Sequence, residues 1–416
     1  MLSRLSTLLA AACVVVACPG DSTPAWQGSV TDSAGIAIVQ NPAEPLWAPD
    51  QGWTVTEALR IGSAEGEPDY QFGMLAGIAV ASDGRIVAAD QQGQHLKVFA
   101  PDGTYERTIG KPGGGPGELG LGISGVVLGP SDTILVADMG NQRVNIYLLD
   151  GTFVRSFRIE FQQGLPLRWE ATRDGRMVNQ VRPVQFPGMP APTDSSDVIV
   201  VRKSDGAAGD TLLKVPSGKT FALGGQRPEV KLFASEPAWA LYGNDVLYGV
   251  NDAYRFGVYA AGGTLKRLIA KPFTPREISE ADQLAMMNAF ERLWKAFGLT
   301  QDQVAQAKQT IKFADRYPAY LQMLEGVDGS IWVQGVQSPT NLPPEMQDSY
   351  NPQLDFGSRT WDVFDAEGRY LGVVNMPLRF QPVRFLGNVI YGIQRDELDV
   401  QYVVKLQVVG SGPAAE

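Results

Sequence analysis

The chain has 416 residues, more than a usual single domain, so it forms either two domains or one architecture that grows by repetition. Its formal net charge of −10 and the lack of a basic stripe argue against nucleic acid as a partner. The 46 Gly and 28 Pro, in a chain that is 44% hydrophobic, indicate a folded protein with many turns. These features favour a turn-rich β protein.

The N-terminus has the pattern of an export signal. Arg4 is followed by an uncharged apolar run that ends at Ala17 and is too short to span a bilayer comfortably. We therefore expect a signal peptide over 1–17. The run ends in Val-Val-Ala-Cys, which resembles the bacterial lipobox, so Cys18 is expected to carry the lipid. An ordinary signal peptide that happens to contain a cysteine is the alternative.

Lipid attachment at Cys18 implies an exported protein that contacts the cell-envelope membrane only through this lipid anchor. A polar tether is expected over 18–34. The only other cysteine, Cys13, lies inside the predicted leader, so the mature chain has no second thiol. This excludes disulfides, zinc–thiolate sites and cysteine nucleophiles within it.

An internal repeat gives the strongest signal in the chain. Residues 77–109 align without a gap on 125–157, which places Asp90 on Asp138. Within each unit, short alternating β-branched runs are separated by Asp-Gly turns, as in hairpin-linked antiparallel strands. A repeat of this length with several strands predicts a β-propeller or a related stacked array.

The second unit carries a more specific motif, Asp138-x-x-Asn141-x-Arg143-Val144, followed by a Tyr-x-x-Asp-Gly turn. This motif resembles the NHL-repeat signature, and the whole chain is similar to the six-bladed NHL-type propellers common among bacterial lipoproteins. The first unit departs from it, with Gly93 and His95 in place of the Asn and Arg. The resemblance implies an all-β, six-bladed propeller, which we place over 35–410, and a disordered tail is expected over 411–416.

The weaker units predict how the ring closes. Blade three is expected over about 168–215, blade four around 244–265, and blade five from 328 through the long loop to about 370. Blade six has only three strands, near 382–386, 389–394 and 402–409. Thr54–Gly62 resembles an outer strand without a blade, and pairing it with the last three would remove the open edges. Residues 35–39 suggest one more edge strand.

Long insertions concentrate on one side of the predicted ring. If the strands of each blade are named a to d from pore to rim, the a–b and c–d turns share one face and are short. The b–c loops and the connectors between blades share the other face, which we call the elaborated face. The predicted insertions all lie there, at 182–197, 215–236, 271–319 and 335–358. Binding groups concentrate in such loops, although neutral insertions are the alternative.

The insertion between blades four and five, at about 274–318, is predicted to be helical. Ser279 is the expected N-cap, and a capping box that starts at Thr300 opens a second helix. The first helix carries an apolar stripe at helical spacing, formed by Leu284, Met287, Phe290, Leu293, Trp294 and Phe297. The stripe either packs on the propeller or forms a lid over the central pocket.

Few residues indicate catalysis. His95 is the only histidine, which rules out the multi-histidine metal sites that NHL-type propeller lyases would require. The glycine-rich segment 110–118 is interpreted as a tight blade connector rather than a phosphate loop, since no Walker lysine or helix follows. Asp90 and Asp138, at equivalent strand ends, are expected to accept backbone N–H bonds of the following loop.

The sequence therefore predicts a non-catalytic binding or scaffold lipoprotein, without a cofactor, catalytic residue or metal, whose ligand is a protein, a peptide or a small molecule. Aromatic and arginine side chains are the usual binding anchors, and core packing is an equal alternative for the two tryptophans. The candidate ligand-binding residues are Trp169, Arg182, Trp239, Tyr254 and Arg384. The alternative is a Ca²⁺-dependent hydrolase or lactonase, with oxygen ligands from Glu170, Asn179 and Asn251.

Overall fold

The structure is a computed structural model that describes residues 25–48, 51–190, 192–194, 196–216, 221–222 and 230–410. The predicted signal peptide (1–17), the predicted lipidation site Cys18 and the predicted tail (411–416) lie outside the described residues.

The first half of the chain forms three N-terminal strands and then three blades. The N-terminal strands are β1 (Ser29–Ser33), β2 (Ile36–Gln40) and β3 (Thr54–Ile61). Blade 1 contains β4 (Leu75–Val80), β5 (Ile86–Asp90), β6 (His95–Phe99) and β7 (Tyr105–Ile109). Blade 2 contains β8 (Ile123–Leu128), β9 (Ile134–Asp138), β10 (Arg143–Tyr147) and β11 (Phe153–Arg158). Blade 3 begins with β12 (Leu165–Ala171) and β13 (Met177–Arg182); after the short β14 (Val184–Gln185) it continues with β15 (Ser196–Arg202) and β16 (Ala208–Pro216).

The second half of the chain follows the same scheme with larger insertions. β17 (Phe221–Ala222) and β18 (Val230–Leu232) precede blade 4, which contains β19 (Pro237–Tyr242), β20 (Asp245–Val250), β21 (Arg255–Tyr259) and β22 (Leu265–Ala270). The helical insertion contains α1 (Glu280–Ala296), α2 (Gln301–Thr310) and β23 (Ile311–Phe313). Blade 5 contains β24 (Gln322–Glu325), β25 (Ile331–Val336), β26 (Gly357–Phe364) and β27 (Tyr370–Asn375), with the one-turn helix α3 (Pro344–Gln347) between β25 and β26. Blade 6 contains β28 (Phe380–Leu386), β29 (Val389–Arg395) and β30 (Gln401–Val409).

The predicted six-bladed β-propeller is confirmed. Each blade is an antiparallel sheet whose strands pair in chain order, and buried apolar clusters lie between successive blades around the ring, including the junction of blades 6 and 1. The second strand of a blade is buried on both sides, as in β5, whereas the outermost strand alternates with solvent, as in β7. Interblade packing therefore places the core between sheets rather than in one central layer.

Short turns with specific chemistry set the strand register. In blade 1 the turn at Asp102-Gly103 places the glycine at φ 89°, a left-handed conformation that a side chain disfavours. The Asp102 carboxylate accepts a bond from the Thr104 N–H at 2.9 Å. The equivalent turn in blade 2 repeats this bond between Asp150 and Thr152 at 2.8 Å. The repeated Asp-Gly-Thr of the sequence thus encodes the c–d hairpin.

The N-terminal segment closes the ring as predicted. β3 pairs antiparallel with β30, from Thr54 opposite Val409 to Ile61 opposite Val403, and supplies the outer strand of blade 6. The last blade is therefore built from both parts of the chain.

The predicted additional edge strand also exists, and it extends blade 4. β2 pairs parallel with β22, and β1 pairs antiparallel with β2, so this sheet has six strands. Ser29–Ser33, assigned by the sequence to the tether over 18–34, are therefore part of a sheet. The Asn41 side chain fixes the segment to blade 5 through bonds to the Gly368 carbonyl at 3.0 Å and from the Tyr370 N–H at 2.6 Å.

Candidate functional site

The insertions meet on the elaborated face. β14 pairs with β17, and β18 pairs with β23, so the insertions after β13, β16 and β22 are joined by short parallel ladders. α1 packs against the b–c loop of blade 5, which spans 337–356 and which we call the blade 5 loop. The faces of the ring thus differ as the loop lengths predicted.

The central channel has a cavity of about 510 Å³, lined by the innermost strands of all six blades. Its lining includes the a–b turn residues Arg173, Gly243 and Gly329, so it extends to the face with short turns. The cavity therefore lies toward the face with short turns and not toward the elaborated face.

Two of the five predicted ligand-binding residues, Trp169 and Arg384, line this channel. The neighbouring charges in the channel are paired: Arg168 contacts Glu170 at 2.7 Å, and Arg173 contacts Glu325 at 2.5 Å. Among the described residues, no hydrogen bond or ion pair involves the Arg384 side chain.

Arg182 and Trp239 occupy a buried network instead. The Trp239 indole N–H donates to Gln180 at 2.8 Å, and the Gln180 amide donates to the Asp197 carboxylate at 2.7 Å. Arg182 binds the same carboxylate through two nitrogens, at 2.7 and 3.0 Å. These four residues join blades 3 and 4, so the polar groups of Arg182 and Trp239 are used within the protein.

Tyr254 lies in a second buried network, between blades 4 and 5. Its hydroxyl donates to Asp362 at 2.6 Å, and Tyr370 and Lys271 each bind the same carboxylate at 2.9 Å. Burial, followed by the charge of Asp362, raises the pKa of Tyr254 well above its usual value. The structure thus does not bring the five predicted residues to one cavity, because Trp239 and Tyr254 are buried and bonded to neighbouring blades and Arg182 is bonded to Asp197 of its own blade.

The proposed Ca²⁺ ligands are also kept apart. Glu170 is paired with Arg168, while the Asn179 side chain bonds the Arg168 carbonyl at 3.1 Å and accepts from Arg202 at 3.0 Å. The Asn251 side chain binds the Tyr320 carbonyl and the Glu236 N–H, both at 2.7 Å. Within the described residues, no group of three or more His, Cys, Asp or Glu side chains could hold a metal ion.

The motif residues of the first two blades hold the connectors. As predicted, Asp90 and Asp138 accept from the following loops, from the Gly93 N–H at 2.9 Å and from the Asn141 N–H at 3.1 Å. In blade 2, Arg143 also binds carbonyls of the glycine-rich segment 110–118; these belong to Gly114, Gly115 and Glu118, at 2.8 to 3.1 Å. The segment connects β7 to β8, which agrees with its interpretation as a blade connector.

His95 replaces this arginine in blade 1, and among the described residues its side chain makes one hydrogen bond, between Nδ1 and the Gly93 carbonyl at 2.9 Å. Its Nε2 is 4.0 Å from the Asp90 carboxylate. Its position at the start of β6 fits a structural role in the loop.

A second cavity, of about 380 Å³, lies on the elaborated face between blades 5 and 6 and reaches blade 1 at Leu75. We call it the face pocket. The start of blade 6 and the blade 5 loop form its opposite walls. Three leucines of the lining, Leu321, Leu354 and Leu378, are exposed. About half of the lining residues are apolar and the others are polar or charged, and a cavity of this size fits a small molecule.

Helix α1 supports the outer wall of the face pocket. Its side chains Met286 and Phe290 pack against Leu342 and Tyr350 of the blade 5 loop. The predicted caps of both helices are confirmed, but the predicted stripe is only partly buried: Leu284 is 63% and Phe297 is 70% exposed. No described residue of α1 lines the central channel. The helix therefore supports the blade 5 loop and does not form a lid over the channel.

Asp282 joins α1 to the blade 5 loop. It completes the capping box with Ser279, and its second oxygen accepts from the hydroxyls of Ser338 and Thr340. Burial opposes ionisation of Asp282, but the hydrogen bonds from Ser338, Thr340 and Ser279 outweigh it and lower the pKa of the carboxyl. The wall of the pocket is thus fixed by a buried, ionised side chain.

Sequence reasoning missed the individual residues of the face pocket. The length of the predicted insertion at 335–358 indicated the loop, but no motif marked Arg359, Arg379 or Arg395. Their common location depends on how blades 5 and 6 pack, which leaves no periodic signal in the sequence.

Comparison with known proteins supports the architecture. The model of the DUF5128 family, described as a 6-bladed beta-propeller, matches residues 67–166. The chain is a six-bladed β-propeller. No curated protein sequence matches it. Among the described residues, no helix is long and apolar enough to cross a membrane.

Several solved structures are similar to this chain at low sequence identity. A candidate exported protein from Bacteroides fragilis has 11% identity and a TM-score of 0.50, with 89% of this chain and 99% of that chain covered. Virginiamycin B lyase from Staphylococcus aureus has 11% identity and a TM-score of 0.41, with 86% and 100% covered. A gluconolactonase from Xanthomonas campestris has 11% identity and a TM-score of 0.41, with 82% and 87% covered. At 11% identity, the similarity to the first of these structures concerns the fold alone.

Proposed function

We propose that this protein is a non-catalytic ligand-binding lipoprotein of the bacterial cell envelope, of the NHL propeller type, and that the face pocket is its binding site. The observation that carries the proposal is the geometry of that pocket. A long loop stands away from the propeller, is fixed there by a helix, and leaves a cavity of about 380 Å³ beneath it.

The pocket combines a loop that helix α1 holds in place with apolar side chains that are exposed to solvent. Leu378 precedes the first strand of blade 6 and is 41% exposed, and the exposed Leu354 lies on the opposite wall. Transfer of such surface from water to a ligand is favourable by about 25 cal/mol per Å². A ligand that fills the pocket would bury these leucines without reorganising the frame, which reduces the cost of binding.

Envelope attachment is supported by the N-terminal sequence. Cys18 follows the apolar run after a small residue, and no other cysteine follows it. Replacement of Cys18 by Ser should release the protein from membranes that are washed with high salt and carbonate, since a leader of this length does not anchor stably. A variant that stays fully membrane-bound would contradict the lipid anchor.

A ligand screen by thermal melting tests the binding role. The parent is compared with Leu378→Trp, which fills the pocket, and with Leu398→Trp as the matched control. Leu398 lies in the b–c loop of blade 6, is 84% exposed and is not part of the lining. Compounds that raise the melting temperature of the parent should lose their effect in Leu378→Trp and keep it in Leu398→Trp. Hits that persist in Leu378→Trp would place binding elsewhere.

A further inference from the structure

Positively charged side chains outnumber negatively charged ones in the described lining of the face pocket. Its described lining contains three arginines, Arg359, Arg379 and Arg395, and a single described carboxylate, Asp355. The chain as a whole has a net charge of −10. A positive site on an acidic protein points to a ligand of opposite charge.

The only described carboxylate of the lining is already bound. Asp355 pairs with Arg395 through one oxygen and accepts the Asn351 N–H at 2.8 Å through the other. Arg395 also contacts Asp399 at 2.5 Å. This group is neutralised within the protein, so it offers a ligand little net charge.

The two other arginines keep their charge available. Arg379 donates to the Asp396 carbonyl at 2.7 Å and to Ser349, and its Nε is buried without a hydrogen-bond partner. No described carboxylate lies within ion-pair distance of it. The Asp396 carboxylate accepts bonds from Leu398, Val400 and Tyr402 and is not part of the lining.

Arg359 is the more accessible of these two cations. It lies in β26 next to the pocket, its side chain is exposed, and no hydrogen bond or ion pair of this side chain occurs among the described residues. An exposed arginine beside apolar walls can bind a carboxylate with two parallel N–H bonds.

We propose that the face pocket binds a small amphipathic carboxylate, with its apolar chain against Leu321, Leu354 and Leu378 and its carboxylate at Arg359 and Arg379. This inference rests on the proposed ligand-binding role of the same pocket. Apolar walls provide affinity, and the two arginines select the charged end.

The test measures binding of decanoate by calorimetry, with decanol as the neutral analogue and decylamine as the cationic one. The full chain carries Cys18→Ser, so that no attached lipid competes with the probe. We expect decanoate to bind at least tenfold more tightly than decanol, decylamine to bind most weakly, and sodium chloride to weaken only decanoate.

Arg359→Gln is the decisive variant because Arg359 has no described partner whose loss would disturb folding. It should weaken decanoate about tenfold and leave decanol unchanged. The matched control is Arg384→Gln, which removes an arginine without a described ion pair from the central channel; it should bind decanoate like the parent. Arg379→Gln is used only if it melts like the parent, because its hydrogen bonds fix a loop.

The outcomes separate the two proposals. Equal binding of decanoate and decanol, unaffected by Arg359→Gln, overturns the carboxylate inference and keeps the pocket as a ligand site. A loss of decanoate binding in Arg384→Gln that matches the loss in Arg359→Gln moves the anion site to the channel and also overturns it. No binding of decanoate to the parent overturns the inference, and a screen in which Leu378→Trp retains every hit overturns the pocket itself.

Discussion

Asp282, the third residue of helix α1, accepts a hydrogen bond from the hydroxyl of Ser338, which is 56 residues further along the chain in the blade 5 loop. Both side chains are buried. The bond joins the insertion between blades 4 and 5 to the insertion within blade 5. The wall of the face pocket therefore depends on a contact between two segments that are not part of the propeller repeat.

Asp282→Ala should destabilise the protein by about 2–4 kcal/mol, because it removes the capping box and leaves the buried Ser338 hydroxyl without its acceptor. The matched control is Glu280→Ala. Glu280 is an exposed acidic residue of the same helical turn, and its removal should cost less than about 1 kcal/mol. Urea unfolding of the two variants measures the difference. Equal losses would show that the buried bonds contribute nothing beyond the helix dipole.

The same contact should be sensitive to acid. The pKa of Asp282 is lower in the folded protein than its ordinary value of 3.8, so ionisation stabilises the fold above that pH. The contribution is lost as the pH falls below 3.8 and through the folded pKa. The stability difference between the parent and Asp282→Asn should therefore be larger at about pH 6 than at about pH 3. A difference that is independent of pH, or that grows in acid, would contradict the assignment of an ionised Asp282.

Arg143 should contribute more to the stability of the folded protein than His95, which occupies the equivalent position in blade 1. Arg143→Ala removes three bonds to the carbonyls of the glycine-rich connector and is expected to cost about 2–3 kcal/mol. His95→Ala, at the equivalent position, removes one bond to the Gly93 carbonyl and should cost less than about 1 kcal/mol. Chemical denaturation of both variants makes the comparison. A larger loss in His95→Ala would show that the connector is held in another way.

Ring closure requires β3 but not β1. Deletion of 19–62 removes the outer strand of blade 6 together with the edge strands of blade 4, and it should abolish cooperative unfolding. Deletion of 19–33 removes β1, whose five residues are all exposed, and also Trp26, which packs on the cluster between blades 4 and 5 and donates to Asn41 at 3.1 Å. It should lower the melting temperature but leave unfolding cooperative, because the ring stays closed. Circular dichroism during thermal melting follows both. A longer deletion that melts like the parent would refute closure by the N-terminal strand.

Calcium should not stabilise the protein, because Glu170, Asn179 and Asn251 each bind other groups of the protein and do not converge. A specific site at a calcium concentration one hundred times its dissociation constant would add about 2.7 kcal/mol. Melting curves recorded with calcium and with a chelator should therefore coincide. A saturable rise in the melting temperature with calcium would revive the hydrolase alternative.

The propeller could be predicted because the sequence patterns that specify its strands and turns extend over only a few residues. Alternation of apolar residues gives strands, and Asp-Gly turns such as that at Asp102 give hairpins. Both rules act over a few residues, and the second copy at Asp150 repeats them. The closing strand at Thr54–Ile61 was predictable for the same reason, since it resembles an outer strand and the last blade lacked one.

The candidate site could be predicted only in part. Loop length identified the elaborated face. Trp239 and Tyr254 are residue types that often anchor ligands, but in this protein they are bonded to Gln180 and Asp362 in its interior. An aromatic residue looks the same in a sequence whether it faces a ligand or a buried neighbour.

The sequence by itself determined the strands of the blades, the closure of the ring and the face that carries the insertions, because these follow from strand alternation, the repeat and the loop lengths. The resemblance to NHL-type propellers added the number of blades. Only the tertiary structure decided which charged and polar side chains are paired within the protein and which remain available to a ligand. Arg395 is neutralised by Asp355, 40 residues away, whereas Arg359 meets no described carboxylate. Such pairing depends on the distance between side chains of separate blades, which is set by packing around the ring and not by local order along the chain.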